Sequence, residues 1–113
     1  MISLRKKKSE KFYQEDVPEK GCFCCGWDML VKEYKHWVVL NNKYPYDAIA
    51  SKHDLICPKR HIVSRDELTT VELAELREIR KLNEKIYDFE MWNYPHRQTH
   101  PVHYHIHLIK FNK

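Results

Sequence analysis

Apolar residues recur along this chain at two periods, near two and near 3.6, and each period predicts a kind of element. The runs "MLVKEY" and "HWVVLNN" are β-prone and predict two short strands, joined as a hairpin over residues 32–35. "HDLICP" predicts a third strand, apolar at Leu55, Ile56 and Cys57 and stopped by Pro58, which has no N–H to give a central ladder. Further on, Leu76, Ile79, Leu82, Ile86 and Phe89 recur at steps of three and four. Thr69 stands before them with Glu72 three residues on, the spacing of a capping box. A helix is therefore predicted over residues 70–89, with the Leu and Ile stripe in the core and the charges of "REIRK" in solvent.

A last strand is predicted over residues 102–111, where alternation puts His103, His105 and His107 on one face and Tyr104, Ile106 and Leu108 on the other. The order strand, strand, strand, helix, strand predicts an α+β domain, a mainly antiparallel sheet packed by one long helix. Two irregular segments interrupt it. "NKYPYDAIASK" is rich in Pro and Tyr and reads as a surface loop that could carry function, and "EMWNYPHRQTHP" leads into the final strand.

Composition narrows the class. With 113 residues the chain is long enough for one core and too short for two, so residues 21–113 are expected to form a single domain behind a loosely held basic arm at 1–20. No apolar run is long enough to cross a membrane, and "MISLRKKKSEKFYQEDVPEK" lacks the apolar centre of a signal peptide. A cytoplasmic, reducing location is expected, in which Cys22, Cys24, Cys25 and Cys57 are ligands, core residues or reactive thiols before they are disulfides. The net charge of +4 suits an anionic partner such as a nucleotide and is too mild to mark a nucleic-acid binder. Much of it lies in the run Arg5 to Lys8, which reads as a solvated tail.

The histidine row carries the chemistry. Alternate strand residues lie about 7 Å apart at the Cα, so His-x-His can chelate one metal and leave a coordination position open. A rival set of ligands stands upstream in "GCFCCG", where Cys22 and Cys25 form a C-x-x-C turn that can present two thiolates to a tetrahedral ion. His61 and one histidine of the row could close that site as Cys2His2. The residues alone leave both arrangements open.

"HYHIHLI" fits the His-φ-His-φ-His-φ-φ signature, with φ apolar, and resembles the histidine-triad (HIT) superfamily of nucleotide hydrolases and transferases. "DLICPKRHIVSRDELTTVELAEL" resembles the family's middle strand, its Pro-Lys-x-His turn and the start of its long helix. "VVLNNKYPY" resembles the strand and loop that bind the nucleoside, so the likeness spans about residues 22–109. The resemblance implies that His105 attacks the α-phosphorus of a purine nucleotide or dinucleotide and carries the nucleotidyl group as a phosphoramidate. It implies that His107 hydrogen-bonds the phosphate oxygens or the leaving-group bridge, and that one nitrogen of His105 is held by a fixed acceptor, often a backbone carbonyl. Zinc-containing members bind a structural ion with the C-x-x-C pair, the histidine of the Pro-Lys-x-His turn and the first triad histidine, which here are Cys22, Cys25, His61 and His103.

Asn42 falls where the family has a residue for the ribose hydroxyls, or it is a loop-capping Asn. Gln98 and Thr99 fall where members contact the α-phosphate. The resemblance implies a homodimer that hydrolyses a nucleoside phosphoramidate or dinucleoside polyphosphate. Transfer to phosphate or a sugar phosphate, or nucleotide binding without turnover, are the alternatives.

The chain departs from the family pattern in four ways. Its loop "YPYDAIASKHD" is longer and lacks the usual glycine, "KFNK" replaces Pro-Arg with no C-terminal specificity segment expected after it, and Cys24 could compete as a ligand. His53 and His96 have no role in the scheme and read as ordinary surface or satisfied histidines.

Overall fold

A computed structural model describes residues 4–6, 22–27, 29–92 and 103–112. Among these residues five strands form one antiparallel sheet in the order β1-β2-β3-β5-β4. They are β1 (Leu30–Glu33), β2 (Trp37–Asn41), β3 (Ala50–Pro58), β4 (Phe89–Met91) and β5 (Ile106–Phe111). A helical turn, α1 (Phe23–Gly26), precedes β1, and the long helix α2 (Thr70–Asn83) lies between β3 and β4. The fold is α+β, as the element order predicts.

Alternation within the strands divides the apolar residues between two faces. Trp37, Val39, Ile56, Ile106 and Leu108 pack with Tyr104, Ile62 and the helix residues Leu76 and Ile79. Val38, Leu40 and Cys57 face the other way and pack against Cys24. The helix is fixed to its sheet by polar contacts too. The Trp37 indole N–H donates to the Glu72 carbonyl at 2.9 Å, and the Glu75 carboxylate accepts from the backbone N–H groups of Lys35 and His36 in the β1–β2 turn. Beside them the Arg60 guanidinium grips both oxygens of Glu72, which holds that carboxyl down at about 2.

The helix starts as the sequence predicts and ends earlier. Thr69 Oγ1 accepts from Glu72 N–H while the Glu72 carboxylate accepts from Thr69 N–H, so the capping box is complete. The apolar steps run on beyond Asn83, but Leu82 and Ile86 are exposed at 48% and 47% among the described residues. Asp88 instead donates its backbone N–H to the Ile109 carbonyl, and its carboxylate accepts from Phe111 N–H. Phe89 then pairs with Ile109, so it belongs to the edge strand β4 and not to the helix. The other boundaries shift as well: β3 begins at Ala50, inside the predicted loop, and β5 begins at Ile106.

Candidate active site

The histidine row begins just before β5 and continues into it, and each imidazole is locked by a different partner. His103 is 2% exposed, with Nε2 lying 2.9 Å from the Pro58 carbonyl oxygen. A carbonyl can only accept, so Nε2 carries the hydrogen and Nδ1 keeps its lone pair. That Nδ1 points into a cluster formed by three distant residues. It lies 3.3 Å from Cys22 Sγ, 3.5 Å from Cys25 Sγ and 3.0 Å from His61 Nδ1. His61 Nδ1 in turn lies 3.5 Å from Cys22 Sγ and 3.0 Å from Cys25 Sγ.

These distances test whether an ion fits. Tetrahedral zinc with Zn–N near 2.0 Å and Zn–S near 2.3 Å sets its donor atoms about 3.3 to 3.8 Å apart. The observed spacing is that of such a shell slightly contracted, and all four donor atoms lie within 4.8 Å of one another. The short α1 turn makes this possible: Cys22 caps it, its Sγ accepting from Cys25 N–H, so both thiols leave the same side. Without a cation Cys22 is poorly placed to ionise, since burial and the neighbouring Cys25 push its thiol up to about 11. The four residues could hold a metal ion. Cys24 is 5% exposed and packs in the core with Val38, Leu40 and Cys57, although a second group of possible ligands, Cys24, Cys57 and His103, adjoins the first.

His105 is oriented by its own neighbour. Its Nδ1 donates to the His103 carbonyl at 2.8 Å, which leaves Nε2 unprotonated with its lone pair outward. Burial lowers its pKa, against the opposing pull of that hydrogen bond, and so favours the neutral ring. His105 belongs to neither group of possible metal ligands among the described residues, whereas His103 belongs to both.

His107 is oriented by a residue outside the row. The backbone N–H of Tyr46 donates to His53 Nδ1 at 2.8 Å, so the hydrogen of a neutral His53 is on Nε2. That nitrogen lies 2.7 Å from His107 Nδ1 and donates to it, which places the His107 hydrogen on Nε2. His107 Nε2 is buried and has no partner among the described residues. A buried N–H without a partner costs free energy, and here it is aimed as a donor. Burial keeps both rings neutral: His53 is lowered to about 4, by burial first and the Arg5 charge second, and His107 is held well below the ordinary imidazole range.

This architecture matches solved structures. It is similar to a hypothetical histidine triad nucleotide-binding protein from Sulfolobus tokodaii strain7, with a TM-score of 0.63 and 25% identity over 79% of this chain and 68% of that one. It is also similar to a HIT family hydrolase from Clostridium thermocellum, with a TM-score of 0.59 and 24% identity over 81% of this chain and 90% of that one. A HIT family hydrolase from Legionella pneumophila Philadelphia 1 gives a TM-score of 0.60 at 20% identity, covering 83% and 95% of the two chains. Neither a family model nor a curated protein matches the chain. The chain has the fold of these histidine-triad proteins, which supports its membership of that superfamily.

Within this histidine-triad fold the remaining expected site residues fall in different places. Asn42 is buried, and its side-chain oxygen accepts from Tyr44 N–H at 2.8 Å, the hydrogen bond of a loop-capping Asn. Its Nδ2 lies 3.4 and 3.2 Å from the two nitrogens of His53, so it sits over the ring and not along one lone pair. Gln98 and Thr99, like His96, lie outside the described residues.

His53 is the residue that sequence reasoning passed over. It is 2% exposed and lies diagonally across β3 and β5 from His107, since Leu55 pairs with His107 and His53 with Ile109. A signal was present in the period-two run His53, Leu55, Cys57, which puts this histidine on one face with an apolar pair. Only the strand pairing brings it to the triad.

Proposed function

We propose that this protein is a histidine-triad nucleotide hydrolase, acting on a nucleoside phosphoramidate or dinucleoside polyphosphate through a nucleotidyl intermediate on His105. One observation carries the reading. Two neutral imidazoles side by side, with ring centroids 5.0 Å apart, offer opposite functions: His105 an outward lone pair and His107 an N–H with no partner among the described residues.

A lone pair held at a fixed angle is what a nucleophile needs, and neutrality near pH 7 makes it available. His105 Nε2 attacks the α-phosphorus, the bond from phosphorus to the leaving oxygen or nitrogen breaks, and its electron pair departs with the leaving group. His107 Nε2–H donates to the phosphate oxygens or the bridging atom as negative charge develops there. Water then attacks the phosphoramidate, releases the nucleotide and restores neutral His105. Because His53 fixes the tautomer of His107, it acts as a positioning residue.

Cys22, Cys25, His61 and His103 would hold zinc. When bound, the ion would tie α1 and the turn after β3 to the strand that carries His105, a structural contribution. The nucleotide-binding and hydrolase names of the similar structures support the reading.

The test is covalent capture. Rapid quench with a labelled dinucleoside polyphosphate, followed by intact mass, is expected to show one nucleotidyl group on the wild-type chain. His105→Ala is expected to lose it and to lower turnover by about three orders of magnitude or more. A wild-type chain that turns over without ever gaining that mass, or a His105→Ala chain that turns over normally, overturns the proposal.

A further inference from the structure

The start of the chain does not read as part of the site, yet residues 4–6 lie against the loop that borders it. Three consecutive residues each make a hydrogen bond there. The Leu4 carbonyl accepts from Ala48 N–H at 3.0 Å, Arg5 Nε donates to the Tyr44 carbonyl at 2.9 Å, and Lys6 N–H donates to Asp47 Oδ1 at 2.6 Å. Arg5 is thereby fixed with its guanidinium carbon 4.8 Å from the centroid of the Tyr46 ring.

Tyr46 connects this cation to the triad. Its ring stacks on His107 at 5.0 Å and 26°, and its centroid lies 4.5 Å from that of His53. Its backbone N–H is the donor that sets the His53 tautomer. The Arg5 charge reaches both imidazoles, since it is among the causes that lower His53 and His107.

His53 and His107 have hydrogen bonds to offer an anion but little positive charge, because burial keeps both rings neutral. A single phosphate at His105 can be served by hydrogen bonds alone, whereas a chain of phosphates brings more negative charge than neutral rings can balance. A guanidinium two ring contacts from His107, with Lys6 next to it in sequence, is the complement of that extra charge.

We propose that Arg5, held on Tyr46, is a specificity-determining residue that binds the phosphates beyond the one attacked by His105, so that the site prefers nucleotides bearing a phosphate chain. This rests on the reading of His105 as the nucleophile, and it selects the dinucleoside polyphosphate class over phosphoramidates with a small uncharged leaving group.

The test is equilibrium binding to the full chain, measured by calorimetry with AMP, ADP and ATP. Wild-type affinity is expected to rise by about tenfold or more from AMP to ATP, as an added charge-assisted contact would give. Arg5→Gln is expected to remove most of that rise while shifting AMP least, and Arg5→Lys, which keeps the charge but not the planar stack, to fall between. A wild-type series with no rise, an Arg5→Gln series with the full rise, or an equal loss for all three nucleotides overturns the proposal. If the rise depends on Arg5 but no nucleotidyl-His105 forms, the hydrolase reading fails and the phosphate-chain site stands.

Discussion

The two ends of the histidine row are built alike and present opposite polarities, a lone pair at one and an N–H at the other. At one end a backbone carbonyl, that of Pro58, takes the hydrogen of His103 and turns a lone pair toward two thiols and His61. At the other, His53 donates to His107 and turns an N–H outward. Both rings are nearly fully buried, at 2% and 4% exposed, and both were alternate letters of one pattern. The difference lies wholly in the partner behind each ring. An acceptor behind an imidazole makes it a ligand for a cation, and a donor behind it makes it a donor to an anion.

The largest expected effect breaks the cation end. His61→Ala or Cys25→Ser should remove the bound metal and lower stability by several kcal/mol, because binding to a site absent in the unfolded chain contributes its free energy to folding. Metal analysis together with thermal unfolding checks this. Purified protein without zinc, or an unchanged melting temperature in both variants, rules the structural ion out.

Acid should separate the two ends. His53 has its folded pKa lowered from 6.5 to about 4, so the unfolded chain binds its proton first as pH falls. The stability tied to its neutral form is complete above about 6.5 and is lost progressively down to about 4, on the order of 3 kcal/mol in total. Protonation of the metal ligands would act in the same direction, so denaturant midpoints should be compared between wild type and His53→Phe. The variant is expected to lose less stability between pH 7 and pH 5, and equal slopes would refute the assignment.

A smaller effect tests the anion end directly. His53→Phe removes the donor behind His107 and should lower kcat by about tenfold to a hundredfold, the range for an outer partner that orients an active group. His53→Gln, which can still donate, should recover part of the loss. A merely structural role for His53 predicts no such recovery.

What could be read from the sequence follows how local each signal was. The capping box from Thr69 to Glu72 spans four residues, and the alternation of Tyr104, Ile106 and Leu108 against the histidines spans six, so both were legible. The end of α2 was not. Leu82 and Ile86 keep the helical step yet face solvent, because periodicity records spacing and not burial. Cys22, Cys25 and His61 were legible as candidate ligands from their motifs, but the choice of His103 among the row came through family likeness, since Cys22 and His103 are 81 residues apart. His53 was hidden for a related reason: its partner is set by the pairing of β3 with β5. The contact of Leu4, Arg5 and Lys6 with residues 44–48 is made largely through backbone groups about forty residues apart, and leaves no pattern in the side chains.

The smallest effect decides which cysteines belong to the cation end. Cys24 lies within the C-x-x-C and has Cys57 and His103 within reach, so spacing alone would allow it to replace a ligand. Packing argues otherwise. Its side chain fills the second apolar cluster beside Val38, Leu40 and Cys57, where a thiol acts as a small hydrophobe, and a metal taken there would draw His103 away from His61. Cys24→Ser should therefore leave the metal content at its wild-type value and lower stability by only about 1 kcal/mol, from a hydroxyl placed in an apolar pocket. A loss of metal equal to that of Cys25→Ser would move Cys24 into the ligand set, and the cation end of the row would then be centred on the buried core instead of on the turn that carries His61.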